Sequence, residues 1–238
     1  MFWNTATRWL ATRLNRVTSF SPPPPPEPDA LPRKVLLVHA HPNPDSFSAA
    51  LAAAVEDGLQ AGGHECRRLS LYEQSYGVAL TRAERLAYFD ATNPARLPKD
   101  VRGALASLSW CDSVVFVYPT WWFNVPAVLK GFLDRTFQPG SAWEFPPATR
   151  EGASSTGLRP LLTNVKRVAG VSTYGAPRHI AFLAGDNGRN TIGTAIRHGV
   201  FSPECTCLWL GLYAMDQCSR DEKAAFLAHV HETFRSGF

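Results

Sequence analysis

The sequence predicts an α/β domain: one parallel sheet of five strands in the order 2-1-3-4-5, with helices on both faces. Three observations lead there. Ser113-Val-Val-Phe-Val-Tyr118 is β-branched and aromatic with no polar alternation, as in a central strand buried on both sides. Strand-like runs alternate with helix-period segments along the chain, which right-handed crossovers pack into a parallel sheet. Finally, 238 residues that are 45% hydrophobic and only 18% charged suffice for one full core and are too apolar for a disordered chain.

Taken in chain order, residues 1–33 read as an extension and 34–238 as the domain. Within the extension Arg8, Arg13 and Arg16 fall opposite Trp3, Leu10, Leu14 and Val17 on a helical wheel, with no acid before Glu27. That composition suits a mitochondrial transit peptide or an amphipathic surface helix, and equally an extension of no consequence. Pro22–Pro26 is a stiff spacer. Arg33–Ala40 is the first strand, and Phe47–Ala61 a helix closed by Gly62-Gly63. His64–Tyr72 is a more polar strand, placed near an edge. Thr81–Phe89 and Lys99–Ser109 have helical patterns, the second capped by Asp100 or a neighbour. The strand Ser113–Tyr118 stops at Pro119, and a helix over Pro126–Phe137 carries its proline in the first turn. The stretch from Pro139 to Arg159 is long for a loop and reads as a lid or dimer arm. Lys166–Tyr174 is a strand, Asn190–Gly199 a helix, and Cys205–Met215 the fifth strand. Ser219 and Glu222 form a capping box for a last helix over Arg220–Phe234.

The totals exclude some functions. A formal net charge of +4 argues only weakly for nucleic acid or a membrane surface, and nucleic acid is not expected as a partner. No run approaches the roughly 18 apolar residues of a membrane span. Five scattered cysteines (Cys66, Cys111, Cys205, Cys207 and Cys218) lack zinc spacing and read as reduced thiols in a reducing compartment, cytoplasmic unless residues 1–33 direct the chain to mitochondria.

Two loops carry the functional signal. In the order 2-1-3-4-5 the carboxyl ends of strands one and three adjoin at the switch point, where open α/β sheets bind ligands. After strand three comes Pro119-Thr-Trp-Trp-Phe-Asn124, whose three consecutive aromatics no turn requires; a flat aromatic ligand is the functional reading and a core cluster the structural one. After strand one comes His41-Pro-Asn-Pro-Asp-Ser46, without the glycines of a dinucleotide or Walker loop. Free N–H groups at the start of the Phe47 helix, with the Ser46 and Ser48 hydroxyls and His41, suit a phosphate; simple helix capping is the alternative. Ala40-His-Pro-Asn-Pro-Asp45 also resembles the Ala-His-Pro-Asp-Asp signature of zinc-dependent N-deacetylases. Asn43-Pro44 replaces the paired aspartates, however, and His229 and His231 point apart on a helix.

With both loops in view, the chain resembles the flavodoxin-like NAD(P)H:quinone oxidoreductase family, DT-diaphorase and its bacterial relatives. The resemblance spans about Lys34 to Phe234. It rests on His41-x4-Ser46-Phe47, on Pro119-x2-Trp122-Phe123-x-Val125-Pro126-Ala127-x-Leu129-Lys130-Gly131, and on Asp134-Arg135-x-Phe137. It implies a flavodoxin-like sheet and a flavin, FMN or FAD. The phosphate end of that flavin would lie at His41, Ser46, Phe47 and Ser48. Its ring would run along Pro119, Thr120, Trp121, Trp122 and Phe123, with Ser172, Thr173 and Gly175 on the other side. It implies that NAD(P)H and a quinone-like small molecule exchange two electrons there by ping-pong hydride transfer. Trp143 and Phe145 match aromatics that reach a partner's site, so a homodimer is implied. The family's assisting tyrosine and histidine find no match in register; Tyr174 and His179 are the nearest substitutes. Their displacement leaves an alternative, a regulatory flavoprotein subunit of the potassium-efflux-transporter type with little turnover.

Overall fold

A computed structural model describes residues 32–90, 96–146 and 157–238. The extension expected over residues 1–33 lies outside the described residues as far as residue 31, as does the middle of the Pro139–Arg159 stretch.

Five strands form the sheet: β1 Lys34–His39, β2 Glu65–Ser70, β3 Ser113–Thr120, β4 Arg167–Tyr174 and β5 Thr206–Leu212. Every pairing is parallel, and the order is β2-β1-β3-β4-β5, as the sequence predicts. Because the inner strands are buried on both faces, alternate residues feed two cores. Val35, Leu37, Val115, Val117 and Val171 face one layer, formed by α1 (Phe47–Ala61) and the last helix (Arg220–Ser236). Those two helices pack so closely that a Cβ on Gly58 would lie 2.4 Å from the His231 carbonyl oxygen. On the other face Leu36, Val38, Phe116, Tyr118 and Trp209 meet α3 (Lys99–Trp110) and α4 (Ala127–Thr136), among others. Between β2 and α3 lies the short α2, Arg82–Leu86, held by a Thr81–Glu84 capping box.

Several expectations need correction. β3 does not stop at Pro119. It runs to Thr120 beside β4, with Pro119 opposite Thr173. Pairing with β1 ends at Val117, so the missing proline N–H falls where no neighbour needs it. Pro126 caps α4 from outside its first turn, with φ −57° and ψ 152°. Asp100 does not cap α3; Pro98 holds that position. From inside the first turn the Asp100 carboxylate accepts from the Val101 N–H at 2.9 Å, and also from Arg135 Nη1 at 2.6 Å and the Gly77 N–H at 3.1 Å. The stretch after β4, to which the sequence assigns no element, contains α5 (Arg178–Leu183) capped by Pro177. The helix expected at Asn190 starts earlier: α6 is Asn187–Asn190, followed by a π-helical turn Thr191–Ile196 and α7, Arg197–Val200. The final helix, now α8, has its predicted Ser219–Glu222 box and extends to Ser236. Inside the long loop, Trp143–Glu144 pairs antiparallel with Arg159–Pro160. Cys205 precedes β5, so the two neighbouring thiols do not share a strand; all five cysteines are free.

Candidate active site

The carboxyl ends of β1 and β3 lie side by side, and the Ala40 N–H donates to the Val117 carbonyl at 3.0 Å. The loop from β1 is held by its own polar side chains. The Asn43 N–H points at His41 Nδ1 at 3.0 Å, and the Asp45 N–H at Asn43 Oδ1 at 2.9 Å. The same Nδ1 lies 3.1 Å from the Asn43 carbonyl oxygen, so the His41 ring is tied to residue 43 in either tautomer. Ser46 Oγ accepts from the Ala49 N–H at 3.1 Å and caps α1. The Phe47 and Ser48 N–H groups, first-turn donors of this helix, find no acceptor among the described residues. Phe47 packs partly into the core, and Ser48 is buried with Oγ 3.5 Å from His39 Nε2. Arg68 Nη2, an obligatory donor, lies 3.3 Å from His39 Nδ1. Burial first, then the Arg68 and His41 charges, lower the His39 pKa to about 4. His39 and Arg68 therefore back the loop as a neutral ring and a cation. Sequence reasoning missed both; the signal was a histidine ending an otherwise apolar strand.

Beyond β3 the chain reverses in two residues. Trp121 and Asn124 exchange both backbone hydrogen bonds, each 3.1 Å, across Trp122 (φ 51°) and Phe123 (φ 57°). This is a type I′ turn, which usually takes Asn-Gly because both central residues are left-handed. Bulky residues there cost about 1–2 kcal/mol apiece. The strain is fixed by neighbours: the Asn187 N–H donates to the Phe123 carbonyl at 3.2 Å. Trp122 is left 94% exposed at the tip. The Trp122 and Phe123 N–H groups have no acceptor among the described residues.

The turn walls a cleft of about 400 Å³, with Thr120, Trp121, Trp122 and Phe123 on one side and Tyr174, Gly175 and Ala176 on the other. The His41 and Trp121 rings meet at 5.9 Å, so the two loops singled out by sequence converge. Some expected residues sit behind the wall. Pro119 and Thr173 pair inside the sheet, and Ser172 is fully buried, its Oγ 2.9 Å from Thr120 Oγ1. His179 is exposed on α5 and does not line the cleft. Tyr174 contributes to the wall, but its hydroxyl donates to Asp186 Oδ1 at 2.9 Å and its ring stacks on Tyr213 at 4.2 Å. Burial above all, with Tyr118, Tyr213 and Asp186 close by, makes Tyr174 a far weaker acid than free tyrosine. Among the described residues no group of three or more His, Cys, Asp or Glu could hold a metal ion, and no helix is long and apolar enough to cross a membrane.

Comparison with known proteins agrees with this architecture. The chain is 34% identical over 119 residues to the ribosyldihydronicotinamide dehydrogenase-like protein traD of Penicillium crustosum, covering 45% of each chain. It is 31% identical over 127 residues to the ribosyldihydronicotinamide dehydrogenase [quinone] of Homo sapiens, 48% of this chain and 55% of that one. The chain thus spans about half the length of the curated relatives it matches. The fold is similar to that of the NAD(P)H:quinone oxidoreductase from Methanothermobacter marburgensis, with TM-score 0.71, 22% identity, and coverage of 86% of this chain and 96% of that one. The Flavodoxin_2 family model, of flavodoxin-like fold, matches residues 33–201, well over half of the sequence; the chain belongs to that family.

Proposed function

We propose that the cleft binds a flavin and that the protein is an NAD(P)H dehydrogenase acting on quinones. The observation that carries this reading is the Trp122-Phe123 turn: two strained aromatics, Trp122 exposed and Phe123 half-buried, that stability alone disfavours, facing a helix N-terminus across His41 and Trp121. The donor set fits the cofactor. Ser46, the free Phe47 and Ser48 N–H groups and the His41 ring suit a phosphate, and the Trp122 and Phe123 N–H groups suit the polar edge of a ring. When bound, the flavin supplies two-electron transfer between a nicotinamide and an acceptor.

The chain's own residues do the rest. Trp121, Trp122 and Phe123 exclude water and hold a planar ring in stacking register. Backbone donors fixed by the turn favour negative charge on the ring edge without reorganising. Donor nucleotide and acceptor use the cleft in turn, the ping-pong order. Ser172, Thr173 and Pro119 shape the site from behind, and Tyr174 acts through its ring, since its hydroxyl serves Asp186. The names of the human and Penicillium relatives support the nicotinamide and quinone classes. We place domain 34–238 in the cytoplasm as a homodimer. Its interface would be the face where Phe89 and Phe145, 57% and 65% exposed, stack at 6.4 Å beside a groove of about 610 Å³.

Steady-state oxidation of NADH and NADPH by flavin-loaded protein, with a panel of quinones, tests this. Acceptor-dependent turnover with parallel double-reciprocal lines is expected. Flavin binding without turnover would instead support the regulatory reading, which the placement of Tyr174 and His179 away from proton donation into the cleft favours.

A further inference from the structure

One acidic residue near the cleft is not explained by its position in the chain. Asp186 stands just before α6, where an aspartate would cap the helix, yet its side chain caps nothing. Its backbone is left-handed, φ 41° and ψ 50°, a conformation that Asp tolerates better than most residues. The buried carboxylate accepts from the Tyr174 hydroxyl at 2.9 Å through Oδ1, and Oδ2 lies 3.6 Å from Arg189 Nη1. It is therefore held from the sheet side and from its own helix.

The two residues after Asp186 reach the strained turn directly. The Asn187 N–H donates to the Phe123 carbonyl at 3.2 Å. At Gly188 a Cβ would lie 2.8 Å from the Tyr118 hydroxyl oxygen and 3.4 Å from the Val125 nitrogen, so the α6 backbone abuts the end of the Trp121–Asn124 turn. Without such external contacts two left-handed aromatics would relax.

We infer that Asp186 is a positioning residue: clamped by Tyr174 and Arg189, it sets the Asn187 N–H on the Phe123 carbonyl and so holds the Trp122-Phe123 turn in the form that walls the cleft. Its effect on flavin binding rests on the flavin reading above, whereas its effect on the turn does not.

The test uses the full chain labelled with 5-fluorotryptophan, its Trp122 resonance assigned by Trp122→Phe, together with flavin titration. Asp186→Asn keeps an acceptor for Tyr174 and tolerates the left-handed backbone, whereas Asp186→Ala does neither. In the flavin-free protein, Asp186→Ala is expected to shift or broaden the Trp122 signal and Asp186→Asn to restore it. Flavin affinity should fall about tenfold in the alanine variant, equivalent to about 1.4 kcal/mol, and recover in the asparagine variant. A Trp122 signal unchanged in Asp186→Ala, with only a lower melting temperature, overturns the inference. Wild-type protein that binds no flavin while its Trp122 signal responds as described overturns the flavin reading and leaves this one standing. Should Asp186→Ala fail to fold, Tyr174→Phe removes the clamp's donor, and an unperturbed Trp122 signal there overturns the inference equally.

Discussion

Replacing Arg135 by methionine removes the cation from a buried network that ties α4 to α2 and α3. Arg135 Nε donates to Glu84 Oε1 at 2.7 Å, and Nη1 and Nη2 reach the Asp100 oxygens at 2.6 and 3.2 Å. Nη1 also donates to the Gly77 carbonyl at 3.0 Å, and the guanidinium lies 5.1 Å from the centre of the Tyr76 ring. The side chains of Arg135 and Glu84 are 5% and 4% exposed, and that of Asp100 26%. Removing one member of a buried ionic group costs about 3–5 kcal/mol, mostly because the remaining charge is left without a partner. Asp100 keeps part of its hydration, which puts the loss at about 3–4 kcal/mol. For a domain of this size that lowers the melting temperature by about 6–16 °C. The assay is thermal unfolding at neutral pH, repeated with Glu84→Gln and Asp100→Asn added; the neutralised triple variant should regain much of the loss. Burial raises the Glu84 and Asp100 pKa values, but hydrogen bonds from Thr81, Gly77 and Arg135 outweigh it and leave both below the usual carboxylate values. The stabilisation is therefore present above the unfolded carboxylate pKa, roughly 4, and is lost as pH falls through the lower folded values. The gap between wild type and Arg135→Met should narrow in acid. An Arg135→Met protein melting within about 2 °C of wild type at neutral pH would refute the reasoning.

Other predictions concern the site. Trp122→Gly should relieve left-handed strain and stabilise the flavin-free protein by about 1 kcal/mol, while weakening flavin retention; calorimetry and flavin titration read the two effects. Ser46→Ala removes the α1 cap, costs about 1 kcal/mol in denaturant unfolding, and should also loosen the flavin. His39 is held neutral in the fold, with its pKa down from 6.5 to about 4, so the unfolded chain binds the extra proton across that window. Stability should accordingly fall as pH drops from 6.5 towards about 4, and His39→Leu should flatten that part of the curve. For the proposed homodimer, Phe145→Glu should shift sedimentation towards monomer.

Much of the fold was legible because its strands are long apolar runs with distinct punctuation: Val114–Tyr118 could hardly be anything but a central strand. Boundaries slipped where tertiary context overrode local signals. Pro119 extends β3 because only β4 pairs there, and Asp100, a good cap by type, sits inside the first turn and serves Arg135 as well as Val101. At the site, the residues of the two loops were readable, but their backbone was not. Trp-Phe carries no turn signal of the Asn-Gly kind, so the left-handed pair Trp122-Phe123 is evident only from what braces it. The bracing residues, Asp186 and Asn187, lie more than sixty positions downstream in a stretch to which the sequence assigns no element. Likewise, no pattern pairs His39 with Arg68 until β1 and β2 are placed side by side.

The central claim, a flavin seat at the Trp122-Phe123 turn, is tested most directly by titrating flavin-free protein with FMN and with FAD. Protein fluorescence reports binding, and mass identifies the retained flavin. One flavin per chain is predicted, with quenching of tryptophan emission and weaker binding in Trp122→Ala and Ser46→Ala. Neither flavin binding at concentrations up to about 1 mM, where the affinity would amount to no more than about 4 kcal/mol, would contradict the claim.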